Sequence, residues 1–264
     1  MKHAFAILAH KESPHLEECI DSLKNQTIAS KIIICTSTPN AFLDRIAKKN
    51  SLPIHVNPER DGIATDWNFA LASAGTEYVT LAHQDDIYSP DYAAKMMKAA
   101  EMHADALIIF SNYDELICKN DEVCIRKHSL NFFIKNTLLR LSFWGKDRLA
   151  ENKKRLLAFG SPIGCPTVTF GKSLIGDFKF DDSFGINMDW KAWYDLARKE
   201  GSFIWVKKNL VSHRIYAGSE TSRGISDNRR QKEDLEMFKK IWPNIIAKIL
   251  SKIYALSYKN NINR

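Results

Sequence analysis

Cysteine pairs at metal-ligand spacing are missing. The five cysteines (Cys19, Cys35, Cys118, Cys124, Cys165) are scattered and odd in number, with no Cys-x-x-Cys. That argues against a zinc site or a disulfide framework, and it reads as small buried hydrophobes in a reducing compartment. Glycine (11) and proline (8) are sparse, so collagen-like and linker-like chains are out. No run approaches the ~18 apolar residues of a spanning helix. The N-terminus has no basic patch followed by a long apolar stretch, so no secretory signal is read there. Internal repeats and low-complexity stretches are also missing.

What is present is ordinary globular material. Of 264 residues, 45% are apolar and 26% charged, enough to bury a core in one large domain or one domain with an appendage. The net charge of +7 is unevenly placed. Residues 119–159 hold ten Lys/Arg against four Asp/Glu, and residues 229–264 hold nine against three, so the rest is mildly acidic. Two local basic surfaces facing an anionic partner fit this better than a uniformly basic nucleic-acid binder.

The first hundred residues alternate strand and helix signals. Strands are expected over 3–9, 31–36, 53–56, 78–82 and 106–111. Helices are expected over 14–25 (Ser13 as N-cap), 41–50, 63–74 and 90–103. Regular βα alternation with apolar strands predicts a mostly parallel α/β sheet, Rossmann-like, with helices on both faces. Ligands in such folds lie beyond the carboxyl ends of the strands, which singles out the loops after Ala9, Thr36, Val56 and Ala82. The pattern then changes. An edge strand is expected over 122–127, basic amphipathic helices over 130–141 and 147–159, and strands over 165–170 and 203–206. A helix is expected over 188–199, and a helical tail over 227–257, broken or kinked at Pro243.

Three clusters carry chemistry. In Gln84-Asp85-Asp86 an apolar strand runs into paired carboxylates at its carboxyl end. Hard divalent cations take such oxygens, and Mg²⁺ commonly uses one or two carboxylates plus substrate phosphates. An acidic turn before the next helix would look the same. Asp189 opens a helix and is followed by Trp190 and Trp193. It reads either as a cap or as a partly desolvated general base beside rings that could stack on a sugar. His213 and Arg214 are followed by Tyr216, Ser219, Thr221 and Arg223, which offer an imidazole ligand and phosphate donors; a polar loop with a satisfied histidine is the plainer reading.

In chain order these features resemble the inverting family 2 glycosyltransferases of the GT-A fold. Residues 16–27, ending in Asn25-Gln26-Thr27, are similar to the family's first helix. Residues 57–68 resemble the segment before its metal motif. Gln84-Asp85-Asp86 resembles the Asp-x-Asp metal motif. Met188-Asp189 stands where the family has Glu-Asp, and His213, 24 residues on, stands at its late metal-binding histidine. The resemblance covers residues 3–111 and 161–223. It departs at Cys35-Thr36-Ser37-Thr38, where the family has Asp-Asp-Gly-Ser, at Leu8-Ala9-His10-Lys11, and at Asp66-Trp67-Asn68.

The resemblance implies a GT-A domain over 1–226. Its nucleotide-sugar half is 1–111, its acceptor half 112–226 carries a basic helical insertion at 128–160, and 227–264 form a C-terminal amphipathic extension. It also implies an Mg²⁺ or Mn²⁺ ion on Asp86, His213 and Asp85, with Asp189 as the base. Donor contacts would come from Ala9, Glu12, Thr36, Asp61, Asn68, Gln84, Asp85, Arg214, Ser219 and Thr221, and acceptor contacts from Trp190 and Trp193. The expected activity is inverting transfer from a nucleotide-diphosphate sugar, a UDP-sugar first, to a hydroxyl of a glycan or lipid-linked acceptor in cell-surface polysaccharide or glycolipid assembly. No nucleic-acid partner is expected. The protein would work in the cytoplasm, at the inner face of the membrane if the basic segments 128–160 and 237–258 rest on anionic lipid. Ordinary helices packed on the domain would show the same amphipathic pattern. Two rivals remain: a catalytically silent basic module binding nucleic acid or membrane, and a sugar nucleotidyltransferase. The second would need a glycine-rich loop where His10-Lys11-Glu12-Ser13-Pro14 stands.

Overall fold

Alternation in the first strand sets the two faces of the sheet. In β1 (His3–Leu8), Ala4 and Ala6 point to one apolar cluster and Phe5 and Ile7 to the other, and all four are buried. Period-two alternation of this kind means both faces are covered. The computed structural model describes residues 1–59, 62–119, 122–126, 130–215 and 229–262, with side chains described over 1–59, 62–116, 132–215 and 229–255.

After β1 the chain runs through α1 (Leu16–Lys24), β2 (Lys31–Thr36), α2 (Ala41–Asn50), β3 (Ile54–Val56), α3 (Ile63–Ser73), β4 (Tyr78–His83), β5 (Ile87–Tyr88), α4 (Tyr92–Met102) and β6 (Ala106–Lys119). It continues through β7 (Glu122–Arg126), α5 (Leu130–Phe143), β8 (Arg148–Leu149), α6 (Lys153–Leu156), β9 (Val168–Gly171), α7 (Lys172–Ile175), α8 (Met188–Leu196), β10 (Ser202–Ile215), α9 (Arg229–Ile241) and α10 (Asn244–Ile262). The strand order is β3-β2-β1-β4-β9-β6-β10-β5, with β7 on β6 and β8 on β10. The β1, β2, β3 and β4 pairings and the β6–β10 pairing are parallel. β9 runs antiparallel between β4 and β6.

Helix α1 buries Leu16, Cys19, Ile20 and Leu23, the i, i+3, i+4, i+7 stripe of a helix lying on a sheet. On the opposite face the small side chains Ala4 and Ala6 meet Ala64, Ala70 and Ala74 on or beside α3, so that helix packs close. Helix α8 buries Trp190 and Trp193 there, and α9 adds Met237 and Phe238.

The first half follows the predicted elements closely; the second half needs corrections. The helix expected over 147–159 is instead the short strand β8 and the one-turn α6. Asn152 sits at φ +54, and the buried Lys153 ammonium donates to the carbonyls of Ala150, Lys199 and Gly201, so the lysine is an internal brace. The strand expected from 165 starts at Val168, after a 3-10 turn (Cys165–Thr167) containing Pro166. β6 and β10 extend well past 111 and 206 because their polar second halves pair with each other across a bulge. The tail does break at Pro243, between α9 and α10. α1 starts at Leu16, two residues later than expected; Ser13 Oγ accepts from His15 N–H at 3.3 Å and donates to Asp85 Oδ1 at 2.5 Å, and His15 makes no side-chain cap.

The strand ends are tied by a buried polar set. His3 Nδ1 lies 2.9 Å from Ser30 Oγ and its Nε2 3.0 Å from Thr80 Oγ1, which meets Thr169 Oγ1 at 2.7 Å. Burial lowers the His3 pKa from 6.5 to about 3. Between those values the unfolded chain binds a proton that the folded chain refuses. Stability therefore falls as pH drops through that window, by at most about 1.4 kcal/mol per pH unit. Urea unfolding of His3→Gln should show a shallower pH dependence between pH 6.5 and 3 than wild type; an unchanged slope would assign the proton uptake to other groups.

Candidate active site

The turn after β4 carries the paired carboxylates. Asp86 N–H donates to the His83 carbonyl at 3.1 Å, closing the turn, and β5 follows at once. β5 pairs antiparallel with β10, setting Ile87 opposite Ser212. That register puts Asp86 beside His213. The His213 Nδ1 lies 3.0 and 3.2 Å from the two Asp86 oxygens, and Arg214 N–H donates to Asp86 Oδ1 at 2.9 Å. Asp86 is 1% exposed while the His213 side chain keeps 35% of its surface. Burial pushes the Asp86 carboxyl up, but the imidazole and the Arg214 N–H more than offset it and hold it below the usual carboxylate range. Burial alone would lower His213; the Asp86 charge and hydrogen bond raise it above its ordinary value of 6.5.

Asp85 accepts from Ser13 in the loop after β1. The Arg214 guanidinium donates to the Asp85 carbonyl at 3.0 Å and to Glu18 Oε2 on α1 at 2.5 Å. Asp189 stands in the first turn of α8 and accepts from Trp190 N–H at 2.6 Å. Burial raises its pKa, partly offset by that N–H and by the charges of Lys135 and Arg230. Asp189 shares neighbours with the Asp86 pair. The Cys165 thiol, pushed up by burial, feels the negative charge of both Asp189 and Asp86, and Lys135 acts on both Asp189 and His213. Asp189 and the Asp86–His213 pair thus share Cys165 and Lys135 as electrostatic neighbours.

The donor types around the Asp85–Asp86 turn are two carboxylates and an imidazole, suited to a hard divalent cation. With Nδ1 turned to Asp86, the His213 Nε2 is the nitrogen left for an external ligand, the orientation a carboxylate imposes on metal-binding histidines. No group of three or more His, Cys, Asp or Glu side chains among the described residues forms a cage by itself.

The profile of the family described as "Glycosyl transferase family 2" matches residues 5–163, more than half of the sequence. The chain belongs to glycosyl transferase family 2. As a family 2 member it is a glycosyltransferase, which sets aside the silent-module and nucleotidyltransferase alternatives. The match includes Asp85 and Asp86 and stops short of Asp189 and His213. No curated protein matches the sequence. Among solved structures, the mannosyltransferase PcManGT from Pyrobaculum calidifontis in complex with GDP-Man and Mn²⁺ superposes with a TM-score of 0.64 at 16% identity, over 97% of this chain and 69% of that one. S. aureus TarS 1–349 in complex with UDP-GlcNAc gives 0.60 at 13% identity, over 95% and 70%. A mycobacterial protein gives 0.55 at 12%, over 83% and 69%. These likenesses establish the GT-A fold.

Several side chains expected to contact ligand are used internally by this glycosyltransferase. Trp190 and Trp193 are 1% and 0% exposed, packed on Phe238 and Phe170, so they form core and offer no platform for a sugar. Thr36 is buried, and its hydroxyl accepts from Thr38 N–H at 3.0 Å. The Gln84 amide makes two 3.1 Å bonds with the His10 backbone, lacing the β4 loop to the β1 loop. The Arg214 side chain is a buried strut to α1. Asn68 brackets the Phe180 backbone, accepting from its N–H at 2.7 Å and donating to its carbonyl at 3.0 Å. Ala9 is buried, with its N–H on the Cys35 carbonyl, and Glu12 is exposed on the β1 loop. Asp61, Ser219 and Thr221 lie outside the described residues.

The structure also brings in residues that the sequence did not single out. Ser13 and Glu18 brace the Asp85–Arg214 pair. Tyr113 sets its ring edge-on to His213 at 6.0 Å and accepts from Lys135 Nζ at 2.9 Å. His83 carries a buried Nε2 with no hydrogen-bond partner, beside the Trp67 ring at 5.1 Å. The one sequence signal among these is Lys135, with Arg140 one of two cations in a helical stretch without acidic residues. Because Asn68 satisfies both backbone groups of Phe180, Asn68→Ala should lower the unfolding free energy by about 1–3 kcal/mol. Urea titration checks this; unchanged stability would show that the bracket contributes nothing.

Proposed function

We propose that this glycosyltransferase carries out inverting transfer of a sugar from a nucleotide-diphosphate sugar to an acceptor hydroxyl, with help from a divalent cation. The observation that carries the reading is the Asp86–His213 contact where the β4 turn meets β10. Structures of the same fold with UDP-GlcNAc, and with GDP-Man and Mn²⁺, support a diphosphate donor and a metal. A UDP-sugar is the first donor to test, and cell-surface polysaccharide or glycolipid assembly is the setting we infer from the family.

In this reading Asp86, His213 and Asp85 hold Mg²⁺ or Mn²⁺ together with the donor phosphates. The ion supplies charge neutralisation for the departing diphosphate. Asp189 takes the proton of the acceptor hydroxyl as its oxygen attacks the anomeric carbon and the bond to the diphosphate breaks on the opposite face. A carboxyl raised by burial is better matched to that task than a fully solvated one. Arg214 and Glu18 keep the Asp85–Asp86 turn in place.

We also propose that the protein rests on an anionic membrane surface, where a lipid-linked acceptor would be met. Among the described residues no helix is long and apolar enough to cross a membrane. Two helices nevertheless leave apolar stripes in solvent. On α5 Phe133, Ile134 and Leu141 are exposed, and Trp144 directly after its last turn is exposed by 79%. On α10, Ile245, Ile246, Ile249 and Ile253 are exposed beside exposed Lys248 and Lys252. At about 100° per residue each set falls within roughly 100° of arc, one face of its helix. An apolar face edged by lysine is the pattern of an interfacial helix.

Asp189→Asn should lower transfer by about 10²–10⁴-fold while the Mn²⁺-dependent affinity for the donor, found by titrating a panel of nucleotide-diphosphate sugars, stays at the wild-type level. Near-wild-type turnover would remove Asp189 from the base role. Flotation with phosphatidylglycerol-containing vesicles at low salt should carry the protein upward, and the double change Ile249→Ser and Trp144→Ser should abolish this; wild-type protein that stays at the bottom ends the membrane reading.

A further inference from the structure

A polar cleft of about 280 Å³ opens between α5 and the β6–β10 pair, away from the Asp85–Asp86 turn. Its floor is the buried Trp205 and Phe143 rings, 5.5 Å apart. Its polar lining is Asn112, Asn136, Arg140 and Lys207. No Asp or Glu lines it, and among the described residues neither Arg140 nor Lys207 has a carboxylate partner. The Asn112 Oδ1 accepts from Trp205 Nε1 at 2.9 Å, so the Asn112 amide nitrogen is the group left to donate. The cleft thus presents two cations and an amide donor over an aromatic floor. That is the chemistry of a site for a compact oxyanion.

The backbone is shaped for it. β10 pairs with β6 through Val206–Ser111 and resumes at Asn209–Asn112, so Lys207 and Lys208 are extra residues without partners in β6. A bulge of this kind re-aims side chains, and here it leaves Lys207 exposed at the cleft. The cleft shares two of its residues with a neighbouring crevice. Asn112 and Asn136 line a narrow crevice shared with Tyr113 and Lys135. Tyr113 stands against His213, and Lys135 acts on Asp189.

We infer that this cleft is an acceptor subsite, in which Arg140 and Lys207 bind a phosphate or carboxylate carried by the acceptor glycan. The inference rests on the glycosyl-transfer reading for the word acceptor; the anion site itself does not depend on it.

The test uses calorimetric titration of the full chain with glucose 6-phosphate, glucuronate and glucose as probes. Both anionic sugars should bind and glucose should not, and the stronger of the two tells phosphate from carboxylate as the natural group. The double variant R140Q/K207Q changes two exposed side chains and should weaken binding of the anionic sugars at least tenfold, while K98Q, an exposed lysine on α4, should leave it unchanged. Equal binding of glucose, undiminished binding by the double variant, or no binding of either anion would overturn the site. Nucleotide-diphosphate sugars with Mn²⁺ are titrated into the same double variant and should bind as they do to wild type. If they fail to bind wild type while the anionic sugars still respond to R140Q/K207Q, the transferase reading fails and the anion site stands.

Discussion

The buried Asp86 carboxylate is the constraint on which the site depends. A carboxylate removed from water is costly unless its oxygens are paired. Here the partners are the His213 imidazole and the Arg214 N–H, 127 and 128 residues away in the chain. Both arrive only because the two-residue strand β5 pairs with β10 and brings Ser212 opposite Ile87. The same β10 segment sends the Arg214 guanidinium back to the Asp85 carbonyl and to Glu18 on α1. One buried charge therefore ties the β4 turn, β10 and the first helix into a unit.

Around that unit the polar side chains act mainly as fasteners. Gln84 laces two loops through a backbone, Asn68 brackets Phe180, and Ser37 and Asn57 both donate to Asp66 at the start of α3. Each restricts a loop at the carboxyl edge of the sheet, and those to Phe180 and Asp66 also satisfy part-buried groups. A site framed in this way is held in place before any ligand arrives, which is what transition-state stabilisation by fixed groups requires.

The second half of the molecule has a different electrostatic character. The acidic turn faces one region, while the basic stretch around α5 supplies Lys135 near Asp189 and Arg140 at the separate cleft. The apolar stripes of α5 and α10 remain in solvent although each helix also buries residues, Leu139 and Phe143 on one and Ala247 and Ser251 on the other. These helices are amphipathic with a further apolar face, and packing on the domain accounts for only part of their pattern.

The βα alternation, the apolar strands and the positions of β1 to β4 were legible in the residues, because period-two and period-3.6 burial is written locally along the chain. So was the family, since Gln84-Asp85-Asp86 sits at a strand's carboxyl end wherever that sheet forms. The roles of the surrounding side chains were not legible. Trp190 and Trp193 follow an acidic residue just as a sugar-stacking pair would, yet α8 turns both into the core. Asn68 and Arg214 have the right chemistry for ligand contacts, and tertiary pairing directs them inward. The 147–159 stretch has helical composition, but Lys153 finds three carbonyls in folded neighbours and holds the backbone in another shape. Local sequence determined which segments are apolar on which face. Only the closed fold decided which polar groups meet, because a hydrogen-bond partner more than a hundred residues away leaves no periodic trace.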